Sequence, residues 1–195
     1  MSRSIRPLLS LLLLFTVGLG LVYPAVVTGF AWLAFPSTAR GSIVTTEQRA
    51  VGSALIGQEF TRPEYFWGRP SATAPTGYNA SASAATNLGP LNPALREVVG
   101  NRIEALRRAD PTNRGPVPID LVTASASGLD PHISPEAALY QVARVAQARG
   151  LPEEAVRRLV EEHVEGPWPG MFGEPRVNVL LLSLALKGME KIEEK

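Results

Sequence analysis

From Leu8 to Phe35 the chain runs for 28 residues without a charge, as LLSLLLLFTVGLGLVYPAVVTGFAWLAF, and this segment constrains the protein more than any other. A helix of that length measures about 42 Å at roughly 1.5 Å per residue, against a hydrocarbon core of roughly 30 Å. It reaches across a bilayer with length to spare, so tilt, a kink or protrusion must absorb the excess. Pro24 is the expected kink, because it has no N–H and leaves the carbonyl of Gly20 without its helical partner. A cleaved signal peptide is the competing reading. The basic leader from Ser2 to Arg6 and the run Leu8 to Leu14 fit its first two regions, and Ser37-Thr38-Ala39 would serve as a cleavage site. Against it, the apolar run is about twice the usual length and closes on Trp32 and Phe35, side chains suited to a membrane interface. A retained transmembrane helix over residues 8–35 is therefore expected.

Arg3 and Arg6 precede this segment, no further charge follows until Arg40, and every acidic residue lies after position 46. Positive charge is retained on the cytoplasmic side, so residues 1–7 are expected in the cytoplasm and residues 36–195 outside it. Gly18, Ala25 and Gly29 are spaced by seven and four residues. On an unbroken helix they share one face and form a shallow groove for another membrane helix, although such spacing also arises by chance in membrane segments.

The remainder has the length of one domain. Of the whole chain 45% is hydrophobic and 19% charged, which excludes a charge-rich disordered protein and a coiled coil. The absence of cysteine removes disulfides, thiolate metal sites and cysteine nucleophiles, without deciding the compartment. Beyond the span the chain keeps all 18 acidic residues and all but two of its 19 basic ones, a net charge of −1. That balance bears on Ile133 to Val164, which looks superficially like a helix-turn-helix: without a basic footprint it cannot displace counterions, and no nucleic-acid partner is expected.

The same stretch reads as two packed helices. Ser134 caps the first, Pro135 opens it, Ala138, Val142 and Val145 form its apolar stripe, and Gly150 ends it. The second starts at Pro152, turns Val156, Leu159 and Val160 inward, and leaves Arg157, Arg158, Glu161 and Glu162 in water. An earlier helix is predicted from Pro93 to Arg108, capped by Asn92, burying Leu95, Val98, Val99, Ile103 and Leu106 and stopped by Asp110-Pro111. A last one is predicted from Asn178 to about Ile192 through Val179, Leu182, Leu186 and Met189, although Val177 to Leu184 also suits a buried strand. Strand candidates are Ser42 to Thr46, Arg49 to Ile56 and Val117 to Val122. The fold class is α+β.

Between Arg69 and Arg96 there is no charge, only small residues, turn formers and hydroxyls. Because the stretch follows Tyr65-Phe66-Trp67 and contains Tyr78, it reads as an ordered loop lying on a surface rather than a disordered one. Catalytic motifs are mostly missing. There is no GxxxxGK[ST], no Asp-Lys-Thr-Gly, and His132 and His163 lie 31 residues apart, too far for a His-Glu-x-x-His site. Ser125, Ser127, Asp130 and His132 supply the residue types of a nucleophilic triad, and an extracytoplasmic hydrolase is the alternative function they suggest. Sequence neighbours rarely reach triad geometry, so Thr123 to Ser134 reads instead as a structured turn with Gly128 at an unusual backbone angle.

Several blocks in one order carry a more specific signal. Tyr23-Pro24, Phe35-Pro36, Gly52 to Gln58, Tyr65 to Ala72, Asn87-Leu88, Leu121 to Asp130, Ala143-Arg144-Val145-Ala146 with Arg149, and Val177-Asn178-Val179 before Leu184-Ala185-Leu186 follow one another over nearly the whole chain. Together they resemble the C subunit of the Kdp potassium-transporting ATPase. Ala85-Thr86 replaces the Gly-Ser pair usual before Asn87-Leu88, and Ser183 stands where Asn is common. The resemblance implies an accessory subunit without a catalytic motif of its own. Its partners would be a channel-like potassium-translocating subunit, a P-type ATP-hydrolysing subunit and a small single-span subunit, with lipid around the span. ATP and potassium would be ligands of the complex, and this chain would bind no metal or cofactor. The family is also described as a catalytic chaperone that raises ATP affinity. A nucleotide-linked role would fall to Ser125, Ser127 or Gln141, but ATP is cytoplasmic and this domain is expected outside, so Gln141 reads as an ordinary polar helix residue. The partner contact is expected at Phe66, Trp67 and Arg69 with the loop from Pro70 to Pro90, including Asn87. Aromatics beside small hydroxyl residues bury without stranding charge, and Arg69 can donate to partner carbonyls. The opposing reading makes Phe66 and Trp67 core residues that hold the loop down.

Overall fold

The apolar segment is helical almost from the first residue. In the computed structural model, which describes residues 2–46, 48–167 and 170–193, α1 (Ser2–Val17) leads into a π-helical turn, Gly18–Val22, and then α2 (Tyr23–Ala34). The Tyr23 N–H donates to the Gly18 carbonyl, five residues back. The wide turn sits directly before Pro24, where the missing N–H interrupts the ordinary ladder, so a π turn marks the expected kink site. Ile5–Ala34 forms one apolar stretch of 30 residues, long enough to cross a membrane, and the protein buries none of its most apolar window. It ends at Ala34, one residue earlier than expected. Phe35 leaves helical geometry at φ −137° and ψ 60°, as suits a residue before proline, and Pro36 opens the short α3 (Pro36–Ala39). Ala25 and Gly29 share a face of α2. Gly18 lies in the π turn, so the seven-residue spacing that would align it with Ala25 on an unbroken α-helix is interrupted.

Two strands, β1 (Ile43–Thr46) and β2 (Arg49–Ser53), pair as a small sheet, shorter than the predicted strands at both places. The chain separates into two units, one reaching Val51 and one starting at Gly52. The second holds the core, and several of its helices begin or end where the sequence provides a cap. In α4 (Pro93–Ala109) the Asn92 side chain accepts from the Ala94 N–H, and the helix stops at Asp110. Leu106 is buried and Val99 and Ile103 pack against the core, whereas Val98 is 47% exposed, contrary to expectation. Ser134 caps α5 (Pro135–Tyr140) through the Ala137 N–H. The predicted single helix is interrupted at Gln141, whose N–H bonds to Ala138, and resumes as α6 (Val142–Arg149), which Gly150 closes at φ +68°. Ala138, Val142 and Val145 are all fully buried, as predicted. In α7 (Glu153–Glu162), Val156, Leu159 and Val160 face the core, while Arg157 and Arg158 pair on the surface with Glu153 and Glu154.

The second unit's sheet is made of strands too short for their periodicity to be read. β3 (His132–Ile133), β5 (Arg176–Asn178) and β4 (Val164–Glu165) lie in that order and are antiparallel, with Ile133 opposite Val177 and Val164 opposite Val177. Asn178 ends β5 and caps α8 (Val179–Glu193): its Oδ1 accepts from the Leu181 N–H and its Nδ2 donates to the Ala54 carbonyl. The strand and helix readings of this segment are thus both realised, in sequence. The predicted strand Val117 to Val122 is instead a 3₁₀ turn, Ile119–Leu121, because Pro118 cannot donate to a ladder and the Thr123 N–H closes back on Ile119.

Candidate functional site

Two of the three consecutive aromatics are internal and Tyr65 is half-buried. Phe66 is 0% exposed and Trp67 8%, so the expectation of an exposed aromatic contact is corrected in favour of its rival. Gln141 explains why. Its Oε1 accepts from the Trp67 N–H at 2.8 Å and its Nε2 donates to the Trp67 carbonyl at 3.1 Å, so one amide completes both backbone groups of a loop residue as a neighbouring strand would. The second Nε2 hydrogen goes to Ala137 and the second Oε1 lone pair to Arg144 Nη2 at 2.6 Å. All four hydrogen-bonding positions of a 1% exposed side chain are taken by the chain itself, so Gln141 is neither an ordinary helix residue nor a free donor for nucleotide.

Arginines complete this packing. Arg144 lies 4.5 Å and Arg102 5.7 Å from the Trp67 ring centre, while Arg149 and Arg62 stack on Tyr65 at 5.1 and 5.5 Å. Arg144 also donates to the Pro63 and Tyr65 carbonyls, Arg102 to Leu121 and Arg149 to Glu64. Burial lowers the Arg144 pKa to about 10, with Asp110 opposing the shift, so the group stays charged at neutral pH. Arg144 and Arg149 lie in a block that carried the family resemblance, but the sequence assigned none of these arginines a role. The available signal was Arg144, standing three residues after Gln141 on an apolar helix face.

The uncharged loop is ordered by its own hydroxyls. Ser71 Oγ donates to the Gly128 carbonyl and accepts from Tyr78, Thr73 Oγ1 accepts from Asn79, and the Tyr78 hydroxyl donates to Arg69. The Ala84 N–H and Ser83 Oγ both bond to the Ser127 carbonyl, tying the loop to the serine-rich turn. Asn87 is exposed further along, at φ +52°. Within the turn, Ser125 Oγ accepts from Gly128 at 2.9 Å and Ser127 Oγ from Leu129 at 3.1 Å. Both hydroxyls serve their own backbone. His132 faces Asp130, 3.2 Å from Nδ1 to Oδ1, rather than a serine.

Arg69 joins these parts. It is directed at the Thr123 and Ala124 carbonyls and at two carboxylates, Asp120 at 3.5 Å and Asp130 at 3.7 Å. Asp120 in turn accepts from the Ser134 N–H, coupling the arginine to the start of α5. Burial disfavours the Asp130 carboxylate, but hydrogen bonds from the His132 ring and N–H, with Arg69 nearby, outweigh it and hold the pKa below the usual range. Beside this network opens a cleft of about 540 Å³, lined also by Glu136, Glu174 and Arg176. Among the described residues no metal-binding cluster is present.

Residues 5–188 match the family model described as KdpC, the c chain of K+-transporting ATPase. The chain belongs to the KdpC family. A protein of Polaromonas naphthalenivorans is 58% identical over 98% of both chains, and one of Variovorax paradoxus 62% identical over 95% of this chain and 96% of its own. A third, of Herpetosiphon aurantiacus, is 55% identical over 99% of this chain and all of its own. Each is named a potassium-transporting ATPase KdpC subunit. Three of the sequence blocks that resembled KdpC meet around the network: Gly57 donates to Leu129, Ser71 to Gly128, and Arg69 faces Thr123.

Proposed function

We propose that this chain is a non-catalytic accessory subunit of an ATP-driven potassium uptake complex. Its span anchors it in the membrane, with the α+β unit outside the cytoplasm, and it stabilises the joining of a channel-like potassium-translocating subunit, a P-type ATP-hydrolysing subunit and a small single-span subunit. The observation that carries the reading is the family match over residues 5–188; the serine-rich turn agrees with it, since both hydroxyls accept from backbone N–H groups of their own turn. The orientation rests on Arg3 and Arg6 ahead of the span, and the Ala25–Gly29 face is the proposed approach for a partner helix. An effect on ATP affinity would act through the assembled subunits, since Gln141 has no free hydrogen-bonding position.

Tagged full-length chain should copurify with its membrane partners, and complex carrying Ser127→Ala should keep potassium-stimulated ATP hydrolysis. A C-terminal reporter that works only in the cytoplasm should stay silent. Ester or peptide hydrolysis by the lone chain that Ser127→Ala abolishes would overturn the accessory reading, and an active reporter would overturn the orientation.

A further inference from the structure

With Phe66 and Trp67 buried, two large apolar side chains among the described residues stand exposed between β4 and β5. Met171 is 76% exposed and Phe172 66%, flanked by Gly170 at φ +92° and Gly173 at φ +95°. Two large apolar side chains held in water by a turn of this kind are suited to burial against something else. A few residues on, Glu174 and Arg176 line the charged cleft, with Arg69, Asp120, Asp130 and Glu136 on its other sides. Four carboxylates there face two guanidinium groups. Arg69 is shared by Asp120 and Asp130, Arg176 is held by Glu165 at 3.0 Å, and Glu136 and Glu174 have no cationic partner among the described residues.

We infer that the exposed Met171–Phe172 pair and the acidic cleft that Glu174 lines two residues later form one docking surface for a basic segment of a partner protein subunit. The inference rests on the accessory-subunit reading and says which surface makes the contact. Charge decides between the two apolar hosts that a membrane-anchored chain meets. An anionic bilayer surface repels a cleft with two unmatched carboxylates, whereas a protein loop carrying Lys or Arg beside an apolar pocket satisfies pair and cleft together.

The absence of cysteine from the chain makes the test direct. Full-length chain carrying Phe172→Cys is exposed to a membrane-impermeant maleimide, alone in phosphatidylglycerol-containing nanodiscs and again in the purified complex. Alone it should react as fast as in detergent; in the complex the rate should fall at least tenfold. Complex recovery should also fall at least fivefold in a Glu136→Lys, Glu174→Lys variant whose melting temperature is unchanged. Protection of residue 172 in nanodiscs without partners would mean that lipid covers the pair and would overturn the inference, as would equal reactivity in the complex or full recovery after the charge reversal. If the unaltered chain fails to copurify with any partner, the accessory reading itself falls. If it copurifies while residue 172 stays reactive, only the docking surface is refuted.

Discussion

Replacing Gln141 by Leu keeps much of the side-chain volume but removes the four hydrogen bonds that its amide makes. Three of the groups left behind lie in the interior and bond to no other described residue: the Trp67 N–H, the Trp67 carbonyl and one Arg144 N–H. Each buried polar group stripped of its partner costs about 1–3 kcal/mol, more where charge is involved. Relaxation and some recovery of packing by the leucine bring the expected loss to about 3–5 kcal/mol. That is a large fraction of the roughly 5–15 kcal/mol by which a domain is stable. For a unit of this size it corresponds to a fall of about 10–15 °C in Tm. Because the lost contacts bridge residues 74 apart in sequence, the loop bearing Trp67 should loosen first. Thermal and urea unfolding of the detergent-solubilised full chain, followed by near-UV circular dichroism, measures both effects. A Gln141→Leu chain within about 1 kcal/mol of the parent would refute the argument, since at least two of the three groups must then have found water or another partner at little cost.

Two further outcomes follow from named contacts. The Asp130 carboxyl is held below its ordinary pKa in the folded state, so its stabilising contribution is complete above a pH of about 4 and is lost as pH falls through the lowered folded value. An Asp130→Asn chain should therefore show a shallower loss of stability as pH falls below about 4 in urea titrations, and parallel acid limbs would count against this assignment. Gly128 has φ +67°, and an added Cβ would meet the Ala84 carbonyl oxygen at 2.7 Å, whereas nothing lies within 4 Å at Gly89. Gly128→Ala should lower stability by about 2–4 kcal/mol and Gly89→Ala by under about 1, and equal melting temperatures for the two would contradict the packing.

The sequence by itself determined whatever depends on neighbours along the chain. The span follows from an uncharged apolar run. The starts of α4 and α5 follow from Asn92 and Ser134, and the end of α6 from Gly150, because a cap is a local hydrogen bond or a local backbone angle. Thr123 to Ser134 was legible as a turn for the same reason: its serines reach backbone groups two or three residues away. Only the tertiary structure decided the rest. Three strands of two or three residues are too short to show an alternation, and each exists because its partner is held opposite it. Phe66 and Trp67 read equally well as interface or core, since no local period distinguishes aromatics facing a partner from aromatics facing their own domain. What buries them is a glutamine, an arginine pair and a helix more than 30 residues downstream. Charge was misleading for a related reason. Arginines normally signal surface, but Arg144 stacks on an indole and donates to carbonyls that only the folded loop presents. Once its hydrogen bonds are met in this way, a guanidinium can lie in the core at a cost that the sequence around it does not reveal.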